Sequence, residues 1–111
     1  MYFALASDDL MLHVFASVTA LTDYCEGIDV ESGGWLFWDE NGAALDPRFI
    51  EPVERSGNFA GGGTYVLEQA VEAERLAVTL HTAKALDSNP YFGSLNEVRK
   101  HIGGGTSTPG R

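Results

Sequence analysis

The chain has 111 residues, 44% apolar and 21% charged, with one cysteine, a globular composition and the length of a single domain. Sixteen acids face seven bases, for a formal net charge of -9. This balance disfavours nucleic acid backbones and anionic membranes, which are held by Lys and Arg, and a lone Cys25 excludes an internal disulfide.

Charge is unevenly placed. Residues 1–47 hold Asp8, Asp9, Asp23, Glu26, Asp29, Glu31, Asp39, Glu40 and Asp46, and no Lys or Arg. The remaining residues hold seven acids and seven bases and sum to zero. An acidic first half is suited to steering a basic partner, although acids also serve simply to solvate a surface.

In chain order, residues 2–6 and 10–15 predict two strands joined at Ser7-Asp8-Asp9, a hairpin. Leu10, Leu12 and Val14 share one face, and Met11, His13 and Phe15 the other, so the second strand is expected to be covered on both sides. Ser17 predicts a helix start. Val18, Leu21, Tyr24 and Cys25 follow at helical spacing, with Gly27 as the stop. Trp35-Leu36-Phe37-Trp38 predicts a strand and Asn41-Gly42 a tight turn with positive φ. A return strand is expected over Ala43–Leu45, broken by Asp46-Pro47. Phe49–Val53 is poorly periodic, and Pro52 suits an edge. Residues 56–63 read as a loop and Thr64–Glu68 as a strand. Ala73, Leu76, Ala77 and Leu80 predict a long helix over residues 72–86, with Glu72 and Glu74 early and Lys84 late, as the helix dipole favours. Asn89-Pro90 ends it. Ser94 and Glu97 form a capping box for a last helix over Leu95–Ile102.

The expected architecture is therefore α+β: a small, mostly antiparallel sheet of about five strands with three helices, in the order β-β-α-β-β-β-α-α. It occupies residues 1–102 as a single domain. Residues 103–111, rich in Gly, Ser, Thr and Pro, are expected to be a disordered tail. Residues 15–21 and 92–98 echo each other, each an aromatic, a small residue and a serine cap, a pattern that capping alone produces.

No arrangement of residues carries a named chemistry. His13, His81, His101 and Cys25 share no metal-ligand spacing, so no metal and no cofactor are expected. Cys25 falls near a helix C-terminus beside Glu26, where both effects keep the thiol protonated. Gly61-Gly62-Gly63-Thr64 lacks the lysine and the following helix of a phosphate loop. Asp8-Asp9 and Asp39-Glu40 are expected in turns open to water rather than on opposite sides of a bound sugar, as paired catalytic carboxylates require, and Asp39–Gly42 is too short for a calcium loop. No catalytic residues are assigned, and the chain is read as a non-enzyme.

Trp35, Phe37 and Trp38 stand among many aromatics, including Tyr2, Phe3, Phe49, Phe59 and Tyr65. A partly exposed aromatic with an acidic rim suits protein binding. The candidate contact residues are Asp23, Tyr24, Glu26, Asp29, Glu31, Trp35, Trp38, Asp39 and Glu40. The size, the acidity and the segment Asn89-Pro90-Tyr91-Phe92-Gly93-Ser94-Leu95-Asn96-Glu97-Val98 resemble the small acidic immunity proteins of bacteria. That resemblance implies a non-enzymatic cytoplasmic domain that neutralises a toxin by covering its basic site. The absence of a basic segment ahead of the apolar start likewise leads to the cytoplasm. Two other readings stay open: a small enzyme or small-molecule binder using a cleft between sheet and long helix, and a structural subunit. A homodimer is expected if the chain's own helices leave the apolar faces of Trp35–Trp38 uncovered.

Overall fold

The computed structural model describes residues 1–56 and 59–104. The fold is α+β. The strands are β1 (Tyr2–Ala6), β2 (Met11–Phe15), β3 (Trp35–Trp38), β4 (Ala44–Phe49), β5 (Val53–Ser56), β6 (Phe59–Gly62), β7 (Tyr65–Gln69) and β8 (Ala85–Leu86), with helices after β2, after β7 and after β8. The helices are α1 (Val18–Tyr24), α2 (Gly27–Glu31), α3 (Leu76–Thr79) and α4 (Leu95–Gly104). Six strands form one sheet in the order β7-β4-β3-β1-β2-β8, and β5 with β6 forms a separate hairpin. All pairs are antiparallel except β2 with β8.

The sheet is apolar on both faces because each has its own core. Phe3, Leu5, Leu12 and Trp38 pack with Leu76 and Leu80 and with Val98 and Ile102 of α4. Ala4, Phe37 and Tyr65 pack on the other face with Leu21 and Cys25 and with Val30 of α2. Alternation along β1 and β2 delivers residues to both cores, which explains the two apolar faces of β2. The chain's own helices bury Phe37 and Trp38 of β3, so the uncovered faces that argued for a second copy are largely absent; Leu36 alone of that strand is well exposed.

Both serine caps form as expected. Ser17 Oγ accepts from Ala20 N–H at 3.1 Å, and Ser94 Oγ from Glu97 N–H at 3.2 Å. The Glu97 carboxylate reaches back to Gly93 N–H at 2.9 Å. Helix α4 continues two residues beyond the expected end at Ile102, through Gly104; the rest of the expected disordered tail, residues 105–111, lies outside the described residues.

Four expectations are corrected. Gly27 is the first residue of α2 rather than a stop; the chain leaves α1 at Cys25, which is extended, and Glu26 caps the next helix. Strand β4 runs through Asp46-Pro47. Ala70 N–H donates to Ala44 O and Ile50 N–H to Thr64 O, so the bonded pairs with β7 fall on even-numbered residues of β4. Pro47 sits between them, opposite Leu67, where its missing N–H removes no bond to β7. The expected loop over residues 56–63 contains β6, paired with β5; residues 57–58 lie outside the described residues.

The fourth correction is the largest. Residues 72–86 do not form one helix. Only α3 and a 3-10 turn, Leu80–Thr82, are helical. Before them, Leu76 N–H donates to Gly42 O and Glu74 O accepts the Trp38 indole N–H at 2.9 Å. After them, Lys84 N–H donates to Leu10 O and Asp87 N–H to Leu12 O, as β8 joins the sheet. Tertiary partners thus take backbone groups that a continuous helix would have bonded internally. Glu72, Glu74 and Lys84 then lie outside any α-helix, and the dipole argument for them lapses. The helical spacing still marked the core, since Leu76 and Leu80 are both buried.

Candidate functional site

The candidate residues divide between the two ends of β3, on the order of 10 Å apart along the strand. At its start, Trp35 meets the C-terminal end of α1. The Tyr24 and Trp35 rings lie 6.0 Å apart, edge to face. His13 of β2 sits between them, 5.2 Å from each ring centroid, and stacks on Phe15 at 6.2 Å. Phe15 in turn lies 5.6 Å from Tyr24. These four rings form one cluster on the α1 side of the sheet. Its floor is buried, with His13 6% exposed, and its rim is open, with Tyr24 58% exposed.

The rim is acidic. Asp23 precedes Tyr24 and is exposed. Glu26 caps α2 by backbone position only; its side chain makes no capping bond and is exposed. Asp29 is exposed and, with Asp8, Ser32 and Trp35, lines a groove of about 480 Å³. No basic side chain among the described residues pairs with Asp23, Glu26 or Asp29. Glu31 ends α2 and is exposed.

At the far end of β3 the candidates serve the fold. Trp38 is a correction: it is 2% exposed, with its indole bonded to Glu74 O, and has no surface for a partner. Asp39 Oδ1 accepts from Asn41 N–H and Ala43 N–H, both at 2.9 Å, and so builds the β3–β4 turn. In that turn positive φ falls on Gly42 alone. Glu40 lies 3.3 Å from the Met1 amino group, and its carbonyl accepts from His101 Nε2 at 3.0 Å.

The sequence reading missed three contributors. His13 and Phe15 belong to the cluster, and Asp87 Oδ2 lies 3.4 Å from His13 Nδ1. Their sequence signal was the apolar alternation around His13, which said buried but not beside which rings. Asp8 was read as a turn acid and also lines the groove.

Cys25 lies directly beneath the rim, wholly buried. Burial first, and the charge of Asp29 second, push its thiol up to about 12. At neutral pH it holds its proton and is a poor nucleophile. Burial also pushes the Tyr65 phenol up, with Cys25 adding to it. The three histidines lie on separate elements, each against its own partner. Among the described residues, no group of three or more His, Cys, Asp or Glu is arranged to hold a metal. None of the helices described is long and apolar enough to cross a membrane.

A second cavity, also about 480 Å³, lies between α1 and the sheet. Val18, Leu45 and Leu67 give it apolar walls, and Thr19, Thr22 and Gln69 a polar mouth. The expected cleft was placed against a long helix; that helix is absent, and a smaller cavity of about 190 Å³ lies between β3, β4 and the segment holding Ala73, Glu74 and Thr79, while the larger one beside α1 opens on the other face of the sheet. Comparison with protein-family models, curated proteins and solved structures finds no match for the chain.

Proposed function

We propose that this chain is a non-enzymatic, cytoplasmic protein-binding domain that inhibits or sequesters a basic protein partner, in the manner of an immunity protein. The observation that carries the reading is the open rim of the aromatic cluster. Tyr24 and Trp35 present apolar area of the kind that anchors interfaces; exposed Asp29 lines a groove with Trp35, and exposed Asp23 and Glu26 lie on the α1–α2 segment that carries Tyr24. Their potentials add, and no basic side chain among the described residues pairs with them. A basic cleft approaching this rim is drawn in quickly and in one orientation. Asp39 and Glu40 are engaged by the turn amides and by the Met1 amino group and do not anchor the partner, and the buried Trp38 has no surface to offer it.

The test is capture from the source cell by the tagged full chain at low and high salt. The expected result is one basic protein, held at low salt, released at high salt, and not held by Trp35→Ala. Capture indifferent to both salt and Trp35 overturns the reading.

A further inference from the structure

The two edges of the six-stranded sheet are unlike. The β8 edge is two residues long. The β7 edge is five residues long and carries neither Pro nor Lys; its one charged residue, Glu68, is paired with Arg48 of β4. The bonded pairs between β4 and β7 place the amides and carbonyls of Thr64, Val66, Glu68 and Ala70 toward β4. Those of Tyr65, Leu67 and Gln69 therefore point away from the sheet. Among the described residues, no backbone or side-chain group bonds to these outward amides and carbonyls.

We propose that the β7 edge seats a second copy of this chain, antiparallel about a two-fold axis at Leu67. The edge is self-complementary in this register. Tyr65 falls opposite the partner's Gln69, and Leu67 opposite the partner's Leu67, so all three outward-facing residues enter bonded pairs. Glu68 falls opposite the partner's Val66 and not its own copy, which avoids a like-charge pair across the junction. The local charge also favours a second copy over a basic chain. Glu68 is already matched by Arg48 Nε at 2.6 Å, so this edge is close to neutral. The uncompensated acids lie instead around Asp23, Glu26 and Asp29. The half-buried Leu67 and the buried Tyr65 also wall the cavity beside α1, so pairing extends an apolar surface already formed along β7. This contact is independent of the acidic rim and of the partner proposed for it.

The test combines mass and cross-linking on the full chain. Light scattering at micromolar concentration is expected to give the dimer mass, and Leu67→Pro, which removes an outward donor and no bond to β4, the monomer mass. Because Cys25 is buried, Leu67→Cys supplies one accessible thiol. At a bonded antiparallel pair, Cα atoms lie about 5.5 Å apart, within disulfide reach. Mild oxidation is expected to link Leu67→Cys chains and not Val78→Cys chains, whose exposed site is on α3. A monomer at every concentration overturns the proposal. So does a dimer in which Leu67→Cys links no better than Val78→Cys. A monomer that takes up an extended Lys-rich peptide along β7 assigns the edge to a different occupant and overturns it equally.

Discussion

The Tyr65 hydroxyl donates to the Cys25 carbonyl at 2.6 Å, tying the first residue of β7 to the junction of α1 and α2. Both residues are buried, and the bond spans 40 positions of sequence. It satisfies a carbonyl released when the chain leaves α1 at Cys25. Removing the donor leaves that carbonyl buried without its partner, at a cost of about 1–3 kcal/mol. Tyr65→Phe is therefore expected to lower the urea midpoint with an unchanged slope. An unchanged midpoint contradicts the assignment.

Alkaline pH is expected to destabilise the fold. The buried Cys25 thiol is raised from its ordinary value of 9.0 to about 12. Below pH 9 it is protonated in both folded and unfolded chains and makes no pH-dependent difference. Above pH 9 the unfolded chain loses the proton first, so stability falls as pH climbs toward the folded value. The buried Tyr65 phenol acts in the same direction. Melting temperatures followed from pH 7 to about 11 should decline more steeply for the native chain than for Cys25→Ala. The comparison is of slopes, because Cys25→Ala also removes packing. Equal slopes would mean that Cys25 ionises freely in the fold.

The two tryptophans should separate cleanly. Trp38→Phe strips the bond to Glu74 O and leaves space in the core, at a cost of about 1–3 kcal/mol. Trp35→Ala removes a half-buried ring at the rim and is expected to keep the fold while losing the partner. Thermal melts and partner capture, run on both variants, check this. Loss of capture by a folded Trp38→Phe, with capture kept by Trp35→Ala, would reverse the roles.

Sequence carried the parts of the fold that neighbouring residues decide. Ser17 and Ser94 cap their helices through an amide three residues away, and both were readable on that account. Alternation from Leu10 to Phe15 correctly announced a strand buried on both faces. Pro47 misled because its effect depends on which side of β4 its nitrogen occupies, a matter of register with β7. The helix expected over residues 72–86 failed because Trp38, Gly42, Leu10 and Leu12 claim its backbone groups, and none is near in sequence. The rim was partly readable: Tyr24, Trp35 and the nearby acids were named, yet nothing local joined them to His13 and Phe15 or withdrew Trp38 into the core.

The most direct measurement of the central claim is the association rate of the purified partner with charge-reversed chains. Asp23→Lys with Glu26→Lys reverses the rim, while Glu72→Lys with Glu74→Lys makes the same change in charge elsewhere. Both pairs are exposed, and Glu74 holds Trp38 through its carbonyl and not its carboxylate. The rim variant should associate at least about tenfold more slowly and with weaker salt dependence, and the second variant at close to the native rate. Equal slowing of both variants would contradict an oriented acidic rim.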